Sequence, residues 1–119
     1  AYLRYTDDFL LFSHDKAKLW AQRRRVIGEL HSLRLRLADP KSRVLACAEG
    51  VPFCGFRFLP GRRPRVLGAT KRRFEARRLL LRGCGADMKR ISQAVFAWYQ
   101  FSCEGNSEGL RRAYARQQP

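Results

Sequence analysis

The sequence is short of negative charge. Ten Asp and Glu stand against twenty-five Lys and Arg, which gives the 119-residue chain a formal charge of +15. Self-repulsion of that size works against compaction unless a polyanion neutralises it. Nucleic acid is the obvious partner, since phosphate contacts supply most non-specific affinity. Long apolar runs are missing too. No window is apolar enough to span a bilayer, and no helix-length basic stretch is paired with the wide apolar face of a membrane-surface helix. Cysteines are few and scattered, at Cys47, Cys54, Cys84 and Cys103. No two have zinc-site spacing, and His14 and His31 add no ligand cluster, so a structural zinc module is excluded. Four separate thiols without a secretion signal fit a reducing cytosol, as small buried hydrophobes. Repeats and low-complexity tracts are absent. So is an initiating Met, and the chain opens inside a predicted strand with no turn or cap before it. It reads as a fragment of a longer protein.

What is present is globular in composition, with 45% apolar residues. One stretch organises the rest. In Tyr2-Leu3-Arg4-Tyr5-Thr6-Asp7-Asp8-Phe9-Leu10-Leu11-Phe12, two adjacent carboxylates lie between aromatic-rich runs that favour extended backbone. The acids therefore fall near the turn of a β-hairpin. Adjacent like charges repel and call for a counterion. Hard oxygen ligands of this kind select Mg²⁺ or Mn²⁺, which use one or two carboxylates together with substrate phosphates. A bland alternative is an acidic turn facing water.

Downstream, Ser13-His14-Asp15 offers N-cap candidates. An amphipathic helix is predicted from Lys16 to Leu37, with Leu19, Trp20, Val26, Ile27, Leu30, Leu33 and Leu37 near helical spacing. His14 is read as a loop or cap residue, and the run Arg23-Arg24-Arg25 as a solvated helix face. Asp39-Pro40-Lys41-Ser42 breaks the helix, and Arg43 to Cys47 is expected to be a short strand. Val51 to Leu59 and Arg62 to Leu67 are expected to form a second hairpin with Pro60-Gly61 at its turn. Gly55, set between aromatic residues, points to a close backbone approach.

From Ala69 onward no strand is expected. Thr70 would cap a helix from Lys71 to Arg82, stopped by Gly83-Cys84-Gly85. Asp87 would cap a helix from Met88 to Ser102 with Met88, Ile91, Val95, Trp98 and Tyr99 as its apolar stripe. Ser107 would cap a last helix from Glu108 to Arg116.

Tyr5-Thr6-Asp7-Asp8 with its flanks resembles the Tyr-x-Asp-Asp motif, motif C, of reverse transcriptases. It looks most like the bacterial branch of group II intron, retron and diversity-generating enzymes. Helix, Pro40-Lys41-Ser42 and strand resemble motif D. Phe53-Cys54-Gly55-Phe56 resembles the Phe-Leu-Gly-Phe of motif E, the primer grip, with Cys54 in place of leucine. Three basic helices after that hairpin resemble the thumb, including a Gly105-Asn106-Ser107 turn followed by Arg111-Arg112.

The resemblance implies an α+β fold: a partial polymerase palm over residues 1–67, made of two β-hairpins and a long helix, followed by an α-helical thumb over 68–119. It implies RNA-directed DNA polymerase activity in a bacterial cytoplasmic protein, with two Mg²⁺ (Mn²⁺ as a substitute), dNTPs, and an RNA template with a DNA primer. Asp7 would be a direct metal ligand and Asp8 a second, weaker one. Tyr5 and Thr6 would lie near the primer terminus. Lys41 would approach the triphosphate and protonate the leaving pyrophosphate. Phe53, Cys54, Gly55 and Phe56 would support the primer end, and Arg72, Arg73, Arg77 and Arg78 would contact duplex phosphates. The family's remaining metal-binding Asp, in motif A, has no counterpart here, so this fragment is expected to be inactive alone. The alternative reading is a non-catalytic, maturase-like module that holds structured RNA. An RNA-dependent RNA polymerase is disfavoured because such enzymes more often carry Gly-Asp-Asp.

Overall fold

The computed structural model describes residues 1–38 and 42–115. It is an α+β structure with two small antiparallel sheets and four helices, three of them in the C-terminal half. Contacts divide the chain into two compact units, Ala1–Ala46 and Cys47–Pro119. The palm–thumb boundary expected at 67/68 falls inside the second unit, immediately before its first helix.

The first unit opens with strands β1 (Tyr2–Tyr5) and β2 (Asp8–Leu11), paired in the register Tyr2↔Leu11, Leu3↔Leu10, Arg4↔Phe9 and Tyr5↔Asp8. Thr6 and Asp7 form the connection. Helix α1 (Lys16–Ser32) starts at Asp15, whose carboxylate accepts from the amides of Ala17 at 2.8 Å and Lys18 at 3.2 Å. Such a cap is worth about 1 kcal/mol.

The helix was expected to reach Leu37 and stops five residues earlier. Arg34 adopts φ 59, Leu35 N–H donates to Leu30 O at 2.8 Å, and Arg34 N–H donates to His31 O at 3.0 Å. This is a Schellman stop with an arginine in the left-handed position usually given to glycine. Residues 43–47, expected as a strand, are irregular up to a short 3₁₀ turn at Cys47–Glu49. No strand among the described residues pairs with them, and an unpaired extended segment has no ladder to hold it. No described residue of this unit is buried.

The second unit contains a three-stranded meander, β3 (Val51–Phe53), β4 (Phe56–Phe58) and β5 (Arg65–Val66). The Pro60-Gly61 turn is present, with Arg62 N–H donating to Leu59 O at 3.2 Å. The stretch from 51 to 59, expected as one strand, is folded back on itself. Cys54 (φ 46) and Gly55 (φ 84) connect β3 to β4 with Phe53↔Phe56 in register. Two successive left-handed residues make the hairpin turn whose twist matches the strands.

Helix α2 (Gly68–Gly83) begins three residues before the expected start. Leu67 holds the N-cap position with no side-chain bond, and Thr70 instead donates its hydroxyl to Gly55 O at 3.2 Å. Its stop is a second Schellman motif. Ala86 N–H donates to Leu81 O at 3.0 Å and Gly85 stands at φ 68. Helix α3 (Met88–Cys103) is capped by Asp87, as expected, through the Arg90 amide at 2.8 Å. Helix α4 (Glu108–Ala115) follows; Arg116, the expected end, lies outside the described residues. The Ser107 hydroxyl, expected to cap α4, donates to Ser102 O.

The core consists of Phe56, Val66, Phe74, Leu81, Ile91 and Trp98. Phe74 stacks on Trp98 with centroids 4.4 Å apart, and Tyr114 meets both edge-on at 5.4 and 4.7 Å. Each such pair adds about 1 kcal/mol beyond the area it buries. Of the apolar stripes expected on α1 and α3, Trp20, Ile27, Leu33, Met88 and Tyr99 are exposed instead, and Leu79 and Leu80 of α2 are exposed too. In α2 only one side of the helix meets α3, and Leu79 and Leu80 fall beside it rather than on it.

Candidate functional site

The acidic pair sits at the tip of the β1–β2 hairpin. Because cross-strand partners share a face, Tyr5 and Asp8 lie on one side with Leu3 and Leu10, while Tyr2, Arg4, Phe9 and Leu11 lie on the other. Tyr2 and Phe9 touch diagonally across that second side, at 6.4 Å between ring centroids. Tyr2, Leu3 and Tyr5 are 60, 49 and 63% exposed, so the hairpin offers apolar residues on both faces.

The turn is unusual in its backbone. Thr6 is β-branched and has φ 53, a combination that costs about 1–2 kcal/mol. Two hydrogen bonds surround it. Arg4 Nε donates to Thr6 O at 2.7 Å, and Thr6 Oγ1 donates to Asp7 Oδ1 at 2.8 Å. The torsion of the Asp7 side chain is thereby fixed by its neighbour. Asp7 and Asp8 are both exposed.

Two adjacent hard carboxylates at a solvent-facing tip fit the protein share of a Mg²⁺ site, since that ion keeps several waters and takes one or two carboxylates. They do not make a complete cage. Among the described residues no group of three His, Cys, Asp or Glu comes together. His14 lies in the bend between β2 and α1, exposed.

Lys41 lies outside the described residues. Phe53, Cys54, Gly55 and Phe56 form the β3–β4 turn and its flanks. This turn is tied into its own unit: Gly55 O accepts from Leu67 N–H at 3.0 Å as well as from Thr70. Phe56 packs on Phe101 at 4.5 Å. The close approach expected at Gly55 is real, for a Cβ there would stand 2.8 Å from Phe101 Cζ. Motif-C-like and motif-E-like residues belong to different units.

Among the four candidate phosphate contacts, Arg72, Arg73 and Arg77 are exposed on α2. Arg78 is turned inward, with its side chain 15% exposed. It pairs with Glu75 at 3.1 Å and lies 5.8 Å over the Tyr114 ring. Burial, then a hydrogen bond to Glu75 and that carboxylate's charge, push the Tyr114 phenol up to about 12, with Arg78 pulling the other way.

Sequence reasoning missed Arg4, which nothing in the spacing distinguishes from the other arginines. It also missed Thr70 and Phe101 as supports of the Gly55 turn. A glycine flanked by aromatics was the available signal, and it told of contact without naming the partner. No helix among the described residues is long and apolar enough to cross a membrane. No family model, curated protein or solved structure matches the chain.

Proposed function

We propose that the chain is the C-terminal palm and thumb part of a bacterial-type reverse transcriptase. The observation that carries the reading is the hairpin tip: Tyr5 and Asp8 close a register-matched pair around Thr6-Asp7, leaving both carboxylates exposed on a two-residue turn. In the whole enzyme, two Mg²⁺ bound there would supply charge neutralisation at the attacking and leaving oxygens of nucleotidyl transfer. Asp7 and Asp8 supply oxygen ligands, and a further carboxylate from motif A completes the set. Tyr5 and Thr6 border the primer end. Lys41 serves as the proton donor to pyrophosphate. The bond formed joins the primer 3′ oxygen to the α-phosphorus of a dNTP; the bond broken releases pyrophosphate.

The exposed Arg72, Arg73 and Arg77, in a chain of charge +15, suit phosphate contacts along an RNA–DNA duplex, which offers shape and backbone rather than readable base edges. Arg78 is withdrawn from that set, because its guanidinium is already engaged by Glu75. The large positive charge equally suits a module that holds structured RNA without catalysis, and one experiment separates the two. It is primer extension on poly(rA)/oligo(dT) with Mg²⁺ by the longer protein containing this chain, beside its Asp7→Ala/Asp8→Ala variant. Template-dependent dTTP incorporation that the variant loses supports the polymerase. Duplex binding without extension by the intact protein supports the holding module.

A further inference from the structure

We infer that Arg4 is a positioning residue of the acidic turn: its guanidinium holds Thr6 in the left-handed conformation that lets the Thr6 hydroxyl orient the Asp7 carboxylate. The inference rests on the reading of Asp7 and Asp8 as metal ligands, and it deepens that reading by naming what sets the ligand geometry.

A threonine at φ 53 does not stay there unaided. Arg4, next to the end of β1, donates through Nε to Thr6 O at 2.7 Å. That carbonyl belongs to the peptide that also carries the Asp7 nitrogen, so fixing its plane fixes the start of the Asp7 residue. On the other side of Thr6, Oγ1 donates to Asp7 Oδ1 at 2.8 Å. The two bonds run in series, guanidinium to peptide and hydroxyl to carboxylate. Partners that orient a ligand in this way tune metal affinity, and their loss typically weakens it by about 10–100-fold.

Arg4 carries a positive charge close to where a cation would bind, and this makes the inference sharply testable. If Arg4 acted only as a charge, removing it would strengthen cation binding. If it positions Thr6, removing it weakens cation binding. The two roles predict opposite signs.

The probe is Mn²⁺, titrated into the 119-residue chain, with affinity read from paramagnetic broadening of the backbone amide signals around Asp7 and Asp8. Arg4→Ala is expected to weaken Mn²⁺ binding about 10-fold. Glycine adopts left-handed backbone without help, so in a Thr6→Gly background the same Arg4→Ala change is expected to matter less than about 2-fold, a non-additive double-mutant cycle. Unchanged or tighter Mn²⁺ binding by Arg4→Ala overturns the inference while leaving the metal reading intact. Broadening that Asp7→Asn does not reduce overturns the metal reading itself. A second measurement decides the Arg4 role without metal: the intraresidue N–H to Hα cross-peak and coupling of Thr6, which report positive φ. Their loss in Arg4→Ala supports the inference, and their persistence overturns it.

Discussion

The chain's two tryptophans mark the difference between its two units. Trp20, on α1 of the first unit, is 40% exposed; Trp98, on α3 of the second, is 8% exposed and stacked on Phe74. Both units use the same local devices. Each has a hairpin closed by a two-residue turn with left-handed backbone, and each has a helix ended by a Schellman motif. At these turns and stops the second unit has Cys54, Gly55 and Gly85 in left-handed backbone, whereas the first has Thr6 and Arg34 there and no glycine. Among the described residues the second unit buries six apolar side chains and the first buries none. The packed core and the acidic pair therefore belong to different units. The unit with the core holds Arg72, Arg73 and Arg77, and the unit with the acidic pair places left-handed Thr6 beside the carboxylates. Strain at a turn is tolerable only where something local over-determines it, and in the first unit that support is the Arg4–Thr6–Asp7 chain of hydrogen bonds rather than a core.

The largest test of this contrast is truncation of the two indoles. Trp98→Ala should lower the unfolding free energy of the second unit by about 3–5 kcal/mol, as large buried aromatic deletions do. Trp20→Ala should change stability by less than about 1 kcal/mol. Urea unfolding followed by far-UV circular dichroism reads both, and equal losses would erase the distinction between the units.

A smaller effect is expected at Gly105. A Cβ there would meet both Phe56 Cε1 and Pro64 O at 2.8 Å. Ring and backbone cannot both move aside, and Asn106 N–H already donates to Pro64 O at 2.7 Å. Gly105→Ala should therefore destabilise the second unit by about 1–3 kcal/mol. A thermal midpoint equal to that of the parent would show that the α3–α4 turn is not seated against the sheet.

The helix stops give a matched pair of opposite sign. Gly85→Arg should cost about 1 kcal/mol, the penalty of left-handed backbone for a residue with a Cβ. Arg34→Gly should gain at most about that amount, reduced by glycine's extra freedom in the unfolded chain. Helical content against temperature distinguishes them, and loss of helix in Arg34→Gly would contradict the reading of that stop.

The smallest effect is on pH dependence. The Tyr114 phenol loses its proton at about 12 in the folded chain instead of 10.0. Its protonated form is favoured by folding, so its contribution is complete below pH 10 and is lost as the pH rises toward 12. Unfolding midpoints between these limits should fall less steeply in Tyr114→Phe than in the parent.

Much of the fold was legible because local chemistry decided it. Asp87 fixed the start of α3, Gly83-Cys84-Gly85 the end of α2, and Pro60-Gly61 the β4–β5 turn. The aromatic runs around Asp7-Asp8 placed the first hairpin. What escaped depended on contacts between distant residues or on unusual backbone. An arginine in a glycine position gave no warning that α1 would end at Ser32. The stretch from Arg43 to Cys47 had strand-like composition, but no strand among the described residues forms a ladder with it. Thr70 looked like a cap, but its hydroxyl found Gly55 O, and α2 began at Gly68. Leu79, Leu80 and Leu81 are alike in sequence, and only packing against α3 selects Leu81 for burial. In the candidate site, carboxylates and a glycine turn could be picked out by residue type. Arg4 and the inward turn of Arg78 could not, since each is defined by a partner that sequence spacing does not show.

Amide hydrogen exchange of the whole chain distinguishes a second unit that holds the core from a first unit that holds the acidic pair without one. Amides in the second unit's core elements α2 and α3 should be protected about 1000-fold or more, near the limit set by global unfolding. Amides bonded between β1 and β2 should exchange within about 10-fold of an unstructured peptide. Protection of the Leu3 and Leu10 amides equal to that of Ile91 would contradict that distinction.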